Sequence, residues 1–448
     1  MASNREILEA QRYNRRRLIT AFTSGTPGGR ELEHRSPLRP LIVGAALTGV
    51  LLLIAAVLSR FSPVLPAGWE SNTLLVVKGT GARYFSVDGV LRPISNITSA
   101  RLLSQPGQFH MAEVNADTIA GIPRGSEIGI PEAPDLLPPP DALESAVWAA
   151  CGTSRGGSHT WVGAPPPGFA PAQTGVVTNG ERTWLVAGGK RYPVADQRVL
   201  FALGLETAAR HPVDATWLNL FPEGSPLAPF TIPQAGEPAG RGSDPLKDFV
   251  IGGVLEVGEG TETRRYLVTG AGRLTPLSEV AYRIYRLGKG VAAAEPVTAN
   301  LASVSSAEVT HSRRIPGDWP AHPGRAVSAK HRVCAQLVTA EAGPATALGS
   351  IPVPANASAD QPTEKPGVSV KGGSGALVRA SSGGSVGATS IVTDLGVAFG
   401  VGGEHDVTLA QLGYQQDAVR VVPAAWMSLI PAGVELSSSA AWATVRGQ

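Results

Sequence analysis

The feature that most constrains the fold of this chain is an uncharged apolar run, LIVGAALTGVLLLIAAVL, from Leu41 to Leu58. A helix rises 1.5 Å per residue, so the run would extend about 27 Å, close to the thickness of the hydrocarbon layer of a bilayer. Arg39 and Arg60 flank it and can reach the two interfaces. Because a buried core helix of this length would be expected to show a polar face, the run predicts a transmembrane helix over residues 41–60.

The charge around this run predicts its orientation. Residues 1–40 carry eight Arg and four Glu, whereas the rest of the chain carries 30 basic and 32 acidic residues. Because positive residues concentrate on the cytoplasmic side, we expect a cytoplasmic N-terminus and an extracytoplasmic part from residue 61 to residue 448. A cleaved signal peptide would have a shorter apolar region and a shorter leader. The sequence therefore predicts a single-pass protein of the cell membrane.

The leader contains a basic amphipathic segment, REILEAQRYNRRRLITAF. Apolar residues recur at mostly helical spacing between Arg12, Arg15, Arg16 and Arg17, which predicts a helix. Two roles stay open for these arginines, attachment to anionic lipid and docking on a cytoplasmic partner.

The chain has two cysteines, Cys151 and Cys334, and both fall on the predicted external side, where disulfides persist. Pairing them would close a loop of 334 − 151 = 183 residues. The chain-entropy model assigns roughly 5 kcal/mol to such a loop. Two unrelated buried thiols are the alternative.

The composition favours short strands and turns over long helices. The 448 residues include 53 Gly and 37 Pro but few aromatic residues, and apolar residues at 43% can supply a core. The net charge of +2 gives no basic field, and we find no Arg/Lys stripe interleaved with aromatic residues. We therefore expect no nucleic-acid partner.

Three external segments resemble one another. Each has a β-branched or apolar run, a Gly-containing turn and a short run that ends in Pro followed by an aliphatic residue. They are YFSVDGVLRPI from Tyr84, WLVAGGKRYPV from Trp184 and YLVTGAGRLTPL from Tyr266. A second shared element, with Pro and Gly two residues apart, follows as IPRGSEI from Ile122, FPEGSPL from Phe221 and IPAGVEL from Ile430. The pattern predicts a repeated unit, roughly β-β-α-β, of about 45 residues.

Four copies of this unit are expected, and two of them depart from the pattern. The copy from Tyr266 has ANLASVSSAEV (299–309) where the Pro-x-Gly should be, so we expect it to be degenerate or half-sized. The copy from Ile391 has Gly400 in place of Pro. DFVIGGVLEVG (248–258) is interpreted as a strand of a separate, non-repeated layer.

The predicted fold class is α+β, with one N-terminal transmembrane helix and an elongated, β-rich extracytoplasmic part of four small repeats around a central domain. The expected parts are a cytoplasmic leader (1–40), the transmembrane helix (41–60), a first repeat (61–140), the start of a central region with a Pro-rich connector (141–180), a second repeat (181–235), a central region with a third repeat (236–353), a flexible linker (354–389) and a fourth repeat (390–448).

The sequence offers no catalytic or cofactor-binding motif. Neither GGKRY at Gly188 nor GKG at Gly288 fits the phosphate-binding GxxxxGK pattern, and GxGxxG is absent. GxSxG occurs once, around Ser385, but in the predicted linker, whereas a nucleophile elbow needs a strand before it and a helix after it. The histidines are scattered without metal-ligand spacing. We therefore expect no enzyme activity, cofactor or metal.

Several segments together resemble the EccB family, a membrane core component of the actinobacterial type VII (ESX) secretion system. They are the leader with QRYNRRRLITAF, the single apolar run after Pro40, RYFSVDGVLRPISNITSARLL, IPRGSEIGIPEAP, the cysteine in KHRVCAQL and the SGALVRA segment. The resemblance covers nearly the whole chain and is most specific over the first 135 residues.

The resemblance implies a structural component of a protein-export machine, with four repeats around a central domain and one disulfide. It implies assembly with the components EccC, EccD and EccE, association with the mycosin protease, and self-association of the external part. The repeats are similar to cell-wall-binding modules of a phage lysin, so a peptidoglycan anchor using Tyr84, Trp184 and Tyr266 is a second hypothesis. Some members of the family are named ATPases, which makes an ATP-hydrolysing subunit a third.

Overall fold

A computed structural model describes residues 3–24, 38–61, 65–144, 147–154, 156–259, 262–288, 296–299, 305–341, 343–353 and 365–445. The chain divides into two compact units, Met1–Leu65 and Pro66–Gln448. The first unit contains two helices, α1 (Asn4–Ser24) and α2 (Leu38–Phe61). In α1 the backbone N–H of Ser3 donates to the carboxylate of Glu6, which satisfies one of the free donors at the helix start.

The second unit is built from short strands and short helices. Its strands are β1 (Thr73–Val77), β2 (Arg83–Val87), β3 (Val90–Pro93), β4 (His110–Val114), β5 (Trp148–Gly152), β6 (Ser158–Val162), β7 (Ala170–Pro171), β8 (Thr174–Asn179), β9 (Arg182–Ala187), β10 (Lys190–Pro193), β11 (Arg210–Pro212), β12 (Val254–Glu259), β13 (Glu262–Gly270), β14 (Arg273–Leu277), β15 (Val297–Thr298), β16 (Glu308–Val309), β17 (His331–Ala340), β18 (Gly343–Pro352), β19 (Gly367–Val370), β20 (Ala376–Ser382), β21 (Ser385–Val392), β22 (Ala398–Gly400) and β23 (Arg420–Pro423). Its helices are α3 (Ile97–Leu103), α4 (Gln197–Ala202), α5 (Ala215–Leu218), α6 (Glu279–Tyr285), α7 (His405–Leu412), α8 (Ala424–Met427) and α9 (Ser438–Ala441), with 3-10 turns at Ala116–Ile119, Pro140–Ala142 and Gln416–Ala418.

Three four-stranded sheets share one connectivity. The sheets run β3-β2-β1-β4, β10-β9-β8-β11 and β22-β21-β20-β23. In each, three antiparallel strands are followed by a helix and by a fourth strand parallel to the first. We call these modules 1 (73–128), 2 (174–227) and 4 (376–436). Each module therefore has a strand before the predicted hairpin and reads β-β-β-α-β, one strand more than the sequence pattern indicated.

A further sheet, formed by the third predicted copy, has five strands in the order β15-β12-β13-β14-β16. The order is that of the other three sheets with β16 added beside the third strand, and we call residues 254–310 module 3. Its first strand, β12 (Val254–Glu259), overlaps the segment 248–258 that was predicted from the sequence to form a separate layer. It pairs with β13 in the register of module 2, with Leu255 opposite Tyr266 as Val177 is opposite Trp184. β12 is therefore the first strand of this module. The expectation of a half-sized third copy also differs from the structure, since this sheet has every strand of the other three.

The Pro-x-Gly segments run beside the third strand of modules 1, 2 and 4. In each module, one residue of that strand donates its N–H to the Pro carbonyl and accepts from the Gly N–H. The central residues are Leu91 (with Pro123 and Gly125), Arg191 (with Pro222 and Gly224) and Ala398 (with Pro431 and Gly433). In module 3, Leu274 faces Val309 and accepts from the N–H of Thr310 at 2.8 Å. Module 3 therefore makes this contact without Pro or Gly.

Local sequence explains where these elements begin. Asp88 and Gly89 form the β2–β3 turn with φ of 49° and 76°, the left-handed conformation that an Asp-Gly hairpin turn requires. The helix after the third strand starts at a side-chain cap in three modules: Asn96, Asp196 and Ser278 each accept a backbone N–H from two or three residues ahead.

A six-stranded central sheet, β19-β6-β5-β17-β18-β7, collects strands from distant parts of the chain. Cys151 of β5 faces Cys334 of β17, and the two sulfur atoms form the disulfide. Modules 2 and 3 lie in the sequence between the two cysteines. The disulfide therefore closes a segment that holds both modules.

The modules pack in two pairs. Modules 2 and 3 share one buried cluster that includes Val176, Leu185 and Leu267. Modules 1 and 4 share another that includes Leu102 and Leu377. A third cluster joins modules 2 and 4 to the central sheet.

The predicted flexible linker (354–389) differs from the structure over its second half. Residues 354–364 lie outside the described residues. From Gly367 onward the chain forms β19, which pairs in parallel with β6, and then β20 and most of β21. Backbone pairing on both sides of β20 gives this Gly/Ser-rich stretch strand structure despite its composition.

Candidate functional site

The four leader arginines lie on α1, and the helix does not gather them on one face. At 3.6 residues per turn, Arg12 and Arg16 lie one turn apart on the polar side, whereas Arg15 falls within the stripe of Ile7, Leu18 and Phe22. Those apolar side chains are exposed, Phe22 to 86%. The face offers apolar and basic groups to a binding partner, and the docking role stays a prediction.

The predicted membrane span lies on α2. The described apolar side chains of this helix are exposed, among them Leu41 (69%) and Leu53 (67%). Of the helices that the structure describes, none combines the length and the apolarity required to cross a membrane. The side chains of Arg39 and Arg60 lie outside the described residues, so their flanking role stays a prediction.

The three equivalent aromatic residues occupy one position in their modules, directly opposite the Pro of the third strand. The pairs are Tyr84 with Pro93, Trp184 with Pro193 and Tyr266 with Pro276. Arg124 lies 4.1 Å from the ring centroid of Tyr84, and Arg191 lies 5.3 Å from that of Trp184. Two of the rings therefore already hold a cation of their own chain on one face.

Two grooves lie beside this position, in modules 2 and 3. The module 2 groove has a volume of about 470 Å³ and is lined by Trp184, Pro193 and Leu200 together with the acids Glu181, Asp196 and Glu223. The module 3 groove has a volume of about 480 Å³ and is lined by Tyr266, Pro276 and Trp319 together with Arg264, His311 and His322. Equivalent positions thus carry an acidic groove in one module and a more basic groove in the other.

Tyr192 anchors module 2 to the segment after module 3. Its hydroxyl donates to the carbonyl of Asp318 at 2.5 Å, and the carboxylate of Asp318 accepts from the N–H of Ser225 at 2.9 Å. Burial and the nearby Asp318 carboxylate raise the pKa of Tyr192 to about 12. The phenol is therefore a permanent donor at neutral pH.

Two tryptophans fix modules 2 and 4 to the central sheet, and in the sequence both follow an LG pair and a Val at matched positions of the second and fourth copies. The indole N–H of Trp217 donates to the carbonyl of Ala150 at 2.8 Å, and that of Trp426 donates to the hydroxyl of Thr346 at 3.0 Å. Both side chains are fully buried. Each stands just before the Pro-x-Gly segment of its module, so the sequence shows that the two residues are equivalent, whereas it does not show their hydrogen-bond partners in the central sheet.

Two of the motifs tested for catalysis lie in hairpins, and the third, GKG at Gly288, extends beyond the described residues. Ser385 starts β21 directly after the β20 turn and donates to the carbonyl of Ser382 at 2.7 Å, whereas a nucleophile elbow leads from a strand into a helix. Gly188 and Gly189 form the β9–β10 turn and lead into a strand, whereas a phosphate-binding loop leads into a helix. Among the described residues, no three His, Cys, Asp or Glu side chains cluster closely enough to hold a metal ion.

The known proteins compared with this chain include components of several ESX secretion systems. A family model described as "Type VII secretion system ESX-1, transport TM domain B" matches residues 1–446. The ESX-3 secretion system ATPase EccB3 of Mycobacterium tuberculosis H37Rv is 34% identical over 221 residues, which are 44% of this chain and 40% of that protein. EccB3 of Mycolicibacterium smegmatis is 32% identical over 264 residues, 54% of this chain and 50% of that protein. These matches span half or less of the curated relatives.

Solved structures share the fold over more of the chain. A chain of the EccB3 dimer from the ESX-3 core complex aligns with a TM-score of 0.66 at 26% identity, over 83% of this chain and 99% of that chain. A chain of the intact ESX-5 inner membrane complex aligns with a TM-score of 0.69 at 22% identity, over 100% of this chain and 96% of that chain, which shows the likeness of fold alone. With a family model matched over almost its entire length, the chain belongs to the EccB family of the type VII secretion system.

Proposed function

We propose that this chain is a membrane-anchored structural component of a type VII (ESX) secretion machine, in which it assembles with the other core components for protein export. The observation that carries the proposal is the family match over residues 1–446, supported by the solved EccB chain in an ESX-3 core complex. The fold agrees with a scaffold, because Trp217, Trp426 and the disulfide fix modules rather than present reactive groups.

In this proposal the parts keep the order expected from the sequence. Residues 41–60 anchor the chain, the leader stays in the cytoplasm, and residues 61–448 lie outside as four copies of one repeat around the central sheet. The apolar run, the Arg excess before it and the disulfide on the far side support this topology. The other core components EccC, EccD and EccE, the mycosin protease and further copies of this chain are the proposed partners.

The leader tests the assembly role most simply. Deleting residues 5–22 should leave a membrane-inserted chain that no longer co-purifies with the other core components. A matched pair of variants refines the test: Arg12→Glu with Arg16→Glu alters the polar face of α1, and Arg15→Glu alters its apolar stripe. Unchanged co-purification of the deletion variant would refute the docking role of the leader.

Cell-wall binding is the second candidate, favoured by the equivalent grooves beside Trp184 and Tyr266. The arginine on the Trp184 ring and the 8% exposure of that side chain argue for packing instead. Sedimentation of residues 61–448 with isolated cell walls decides between them, and a protein that stays in the supernatant removes this candidate.

An ATPase role, which the names of the relatives carry, has less support. The glycine stretch that comes nearest to a phosphate-binding loop lies in the β9–β10 hairpin. We propose that the chain acts without hydrolysing ATP. Turnover by the purified chain that persists after removal of trace contaminants would overturn this.

A further inference from the structure

A cleft between module 2 and the central sheet has no part in the proposed assembly role. It is lined by Thr153 and Ser154 from the β5–β6 turn, by His211 of β11, and by His331 and Arg332 of β17. Its volume is about 210 Å³. A cavity needs about 10–15 Å³ to hold one water molecule, so the cleft has room for an anion with several oxygen atoms.

The buried hydroxyl of Thr153 lacks a partner. Thr153 is 3% exposed, and among the described residues nothing forms a hydrogen bond with its Oγ1. Its backbone N–H is occupied, because it donates to the carbonyl of Gly157. Buried hydroxyls in proteins nearly always have a hydrogen-bond partner, so this one marks a donor that a ligand in the cleft would satisfy.

The two histidines each keep one ring nitrogen available. Nε2 of His211 lies 3.2 Å from the carbonyl of Val327, which requires that Nε2 carry the proton, and Nδ1 of His331 lies 3.0 Å from the hydroxyl of Ser328. Within the described ranges, Nδ1 of His211 and Nε2 of His331 have no hydrogen-bond partner. A bound group that accepts hydrogen bonds would satisfy both rings in their charged forms.

The charge of the lining selects the sign of the ligand. Among the described residues that line the cleft there is no Asp or Glu, and the two imidazoles face this lining without a carboxylate beside them. Burial, aided by His331 and opposed by the Val327 carbonyl, lowers the pKa of His211. An anion in the cleft would offset this cost by stabilising the imidazolium.

We propose that this cleft binds a small oxyanion, a phosphate or a carboxylate group, through Thr153, His211 and His331. Because these donors come from the β5–β6 turn, from β11 and from β17, a bound anion would join module 2 to the central sheet. Two of the three donors are close to the disulfide in the sequence, because Thr153 is two residues from Cys151 and His331 is three residues from Cys334.

Titration of the purified full chain with inorganic phosphate, followed by histidine side-chain NMR and by thermal unfolding, tests the proposal. Phosphate should shift the resonances of His211 and His331, leave the other histidines unmoved and raise Tm, compared with sodium chloride at equal ionic strength. A parallel titration with acetate distinguishes the two kinds of ligand. Shifts of the two histidine resonances with acetate alone assign the cleft to a carboxylate, and shifts with phosphate alone assign it to a phosphate.

Two variants localise the site. Thr153→Val removes the hydroxyl at nearly constant volume and should weaken binding about fivefold or more, and His331→Gln should do the same. Thr298→Val and His110→Gln, at exposed positions of β15 and β4, should leave it unchanged. Because the NMR shifts of the unaltered chain report the site even if a variant misfolds, no response to either anion, or equal responses in the cleft variants and the controls, would overturn the proposal.

Discussion

Modules 2 and 3 close their sheets with the same backbone contact and with different side chains. In module 2, Tyr192 precedes the Pro of the third strand, and a Cβ added to Gly224 would lie closer than 3.0 Å to its ring. In module 3 the equivalent residue is Thr275, and Thr310 stands where Gly224 stands. We infer that the Pro-x-Gly segment has a glycine because a large neighbouring side chain leaves no space for a Cβ. A small neighbour such as Thr275 leaves space for a larger residue.

Modules 1 and 4 follow module 2. A Cβ at Gly125 or at Gly433 would also lie closer than 3.0 Å to the side chain that precedes the Pro position, Arg92 or Phe399. None of these three glycines has a positive φ, so turn geometry does not demand them. In module 3 the smaller Thr275 stands at this position and Thr310 carries a side chain, and we propose that the two differences are linked.

Gly224→Ala is expected to have the largest effect. The Tyr192 ring is held by its bond to Asp318, so the added methyl group has no space and should destabilise the chain by about 1–3 kcal/mol. Chemical denaturation measures this. Gly180→Ala is a poor control because Gly180 has a positive φ, whereas Gly258→Ala is suitable, since Gly258 has open space and an ordinary φ.

Tyr192→Phe keeps the aromatic ring and removes the hydroxyl that donates to the carbonyl of Asp318. The ring keeps its packing, but the carbonyl of Asp318 loses its donor, so the expected loss is about 1–2 kcal/mol. If the anchor holds the ring against Gly224, the double variant Tyr192→Phe with Gly224→Ala should lose less than the sum of the two single losses. Additive losses would show that the ring position does not depend on the hydroxyl.

The fourth strands of modules 2 and 3 differ in a titratable residue, and we therefore expect the free energy of unfolding to depend on pH through module 2. Module 2 has the buried His211 at this strand, where module 3 has the exposed Val297. Because burial lowers the pKa of His211 in the folded chain below its usual value near 6.5, the unfolded chain binds the proton more tightly. The histidine's contribution is complete above pH 6.5 and is lost as pH falls through the folded pKa, with a slope of at most about 1.4 kcal/mol per pH unit.

Unfolding free energies of the full chain and of His211→Gln between pH 7.5 and pH 5 measure this contribution. The substitution should flatten the acid side of the profile, whereas His110→Gln at an exposed site should not. Identical slopes for the three proteins would contradict the assignment to His211.

Gly125→Ala should cost less than Gly224→Ala, below about 1 kcal/mol. The obstructing atoms belong to the Arg92 side chain, which can move by rotating about its flexible stem. Equal losses for Gly125→Ala and Gly224→Ala would mean that the backbone, not the neighbouring side chain, excludes a Cβ. Thermal unfolding of the two variants in parallel decides between these readings.

Thr310→Gly is also expected to have a small effect, about 0.5–1 kcal/mol, because it removes only a side chain and adds backbone freedom. The matched change, Thr275→Tyr, should be tolerated better in the Thr310→Gly background than alone. A Thr275→Tyr loss that is the same in both backgrounds would break the proposed link between the two positions.

The hairpins of the modules could be predicted from sequence because their turns carry local information. Asp88 and Gly89 specify a turn by conformational preference alone. The place of the first strand in each module could not be predicted in the same way, although residues 248–258 were expected to form a strand. The fourth strand that pairs with it in parallel lies beyond the helix in the sequence.

Tertiary context accounts for the other departures from the sequence-based expectations. The Gly/Ser-rich stretch that forms β20 and β21 has the composition of a linker, and pairing with β23 and β22 makes it a sheet. In the cleft, His211 and His331 are 120 positions apart in the sequence and approach only because β11 packs near β17. No local pattern marks such a pair.

The central claim is that this chain is a structural part of a larger secretion assembly. Electron microscopy of the complex extracted with detergent through a tag on this chain tests it most directly. The account predicts a particle that contains other core components, with the sheets of modules 1 to 4 on one side of the detergent belt and the leader on the other. A tagged chain that purifies as an isolated protein, with no other component bound, would contradict the account.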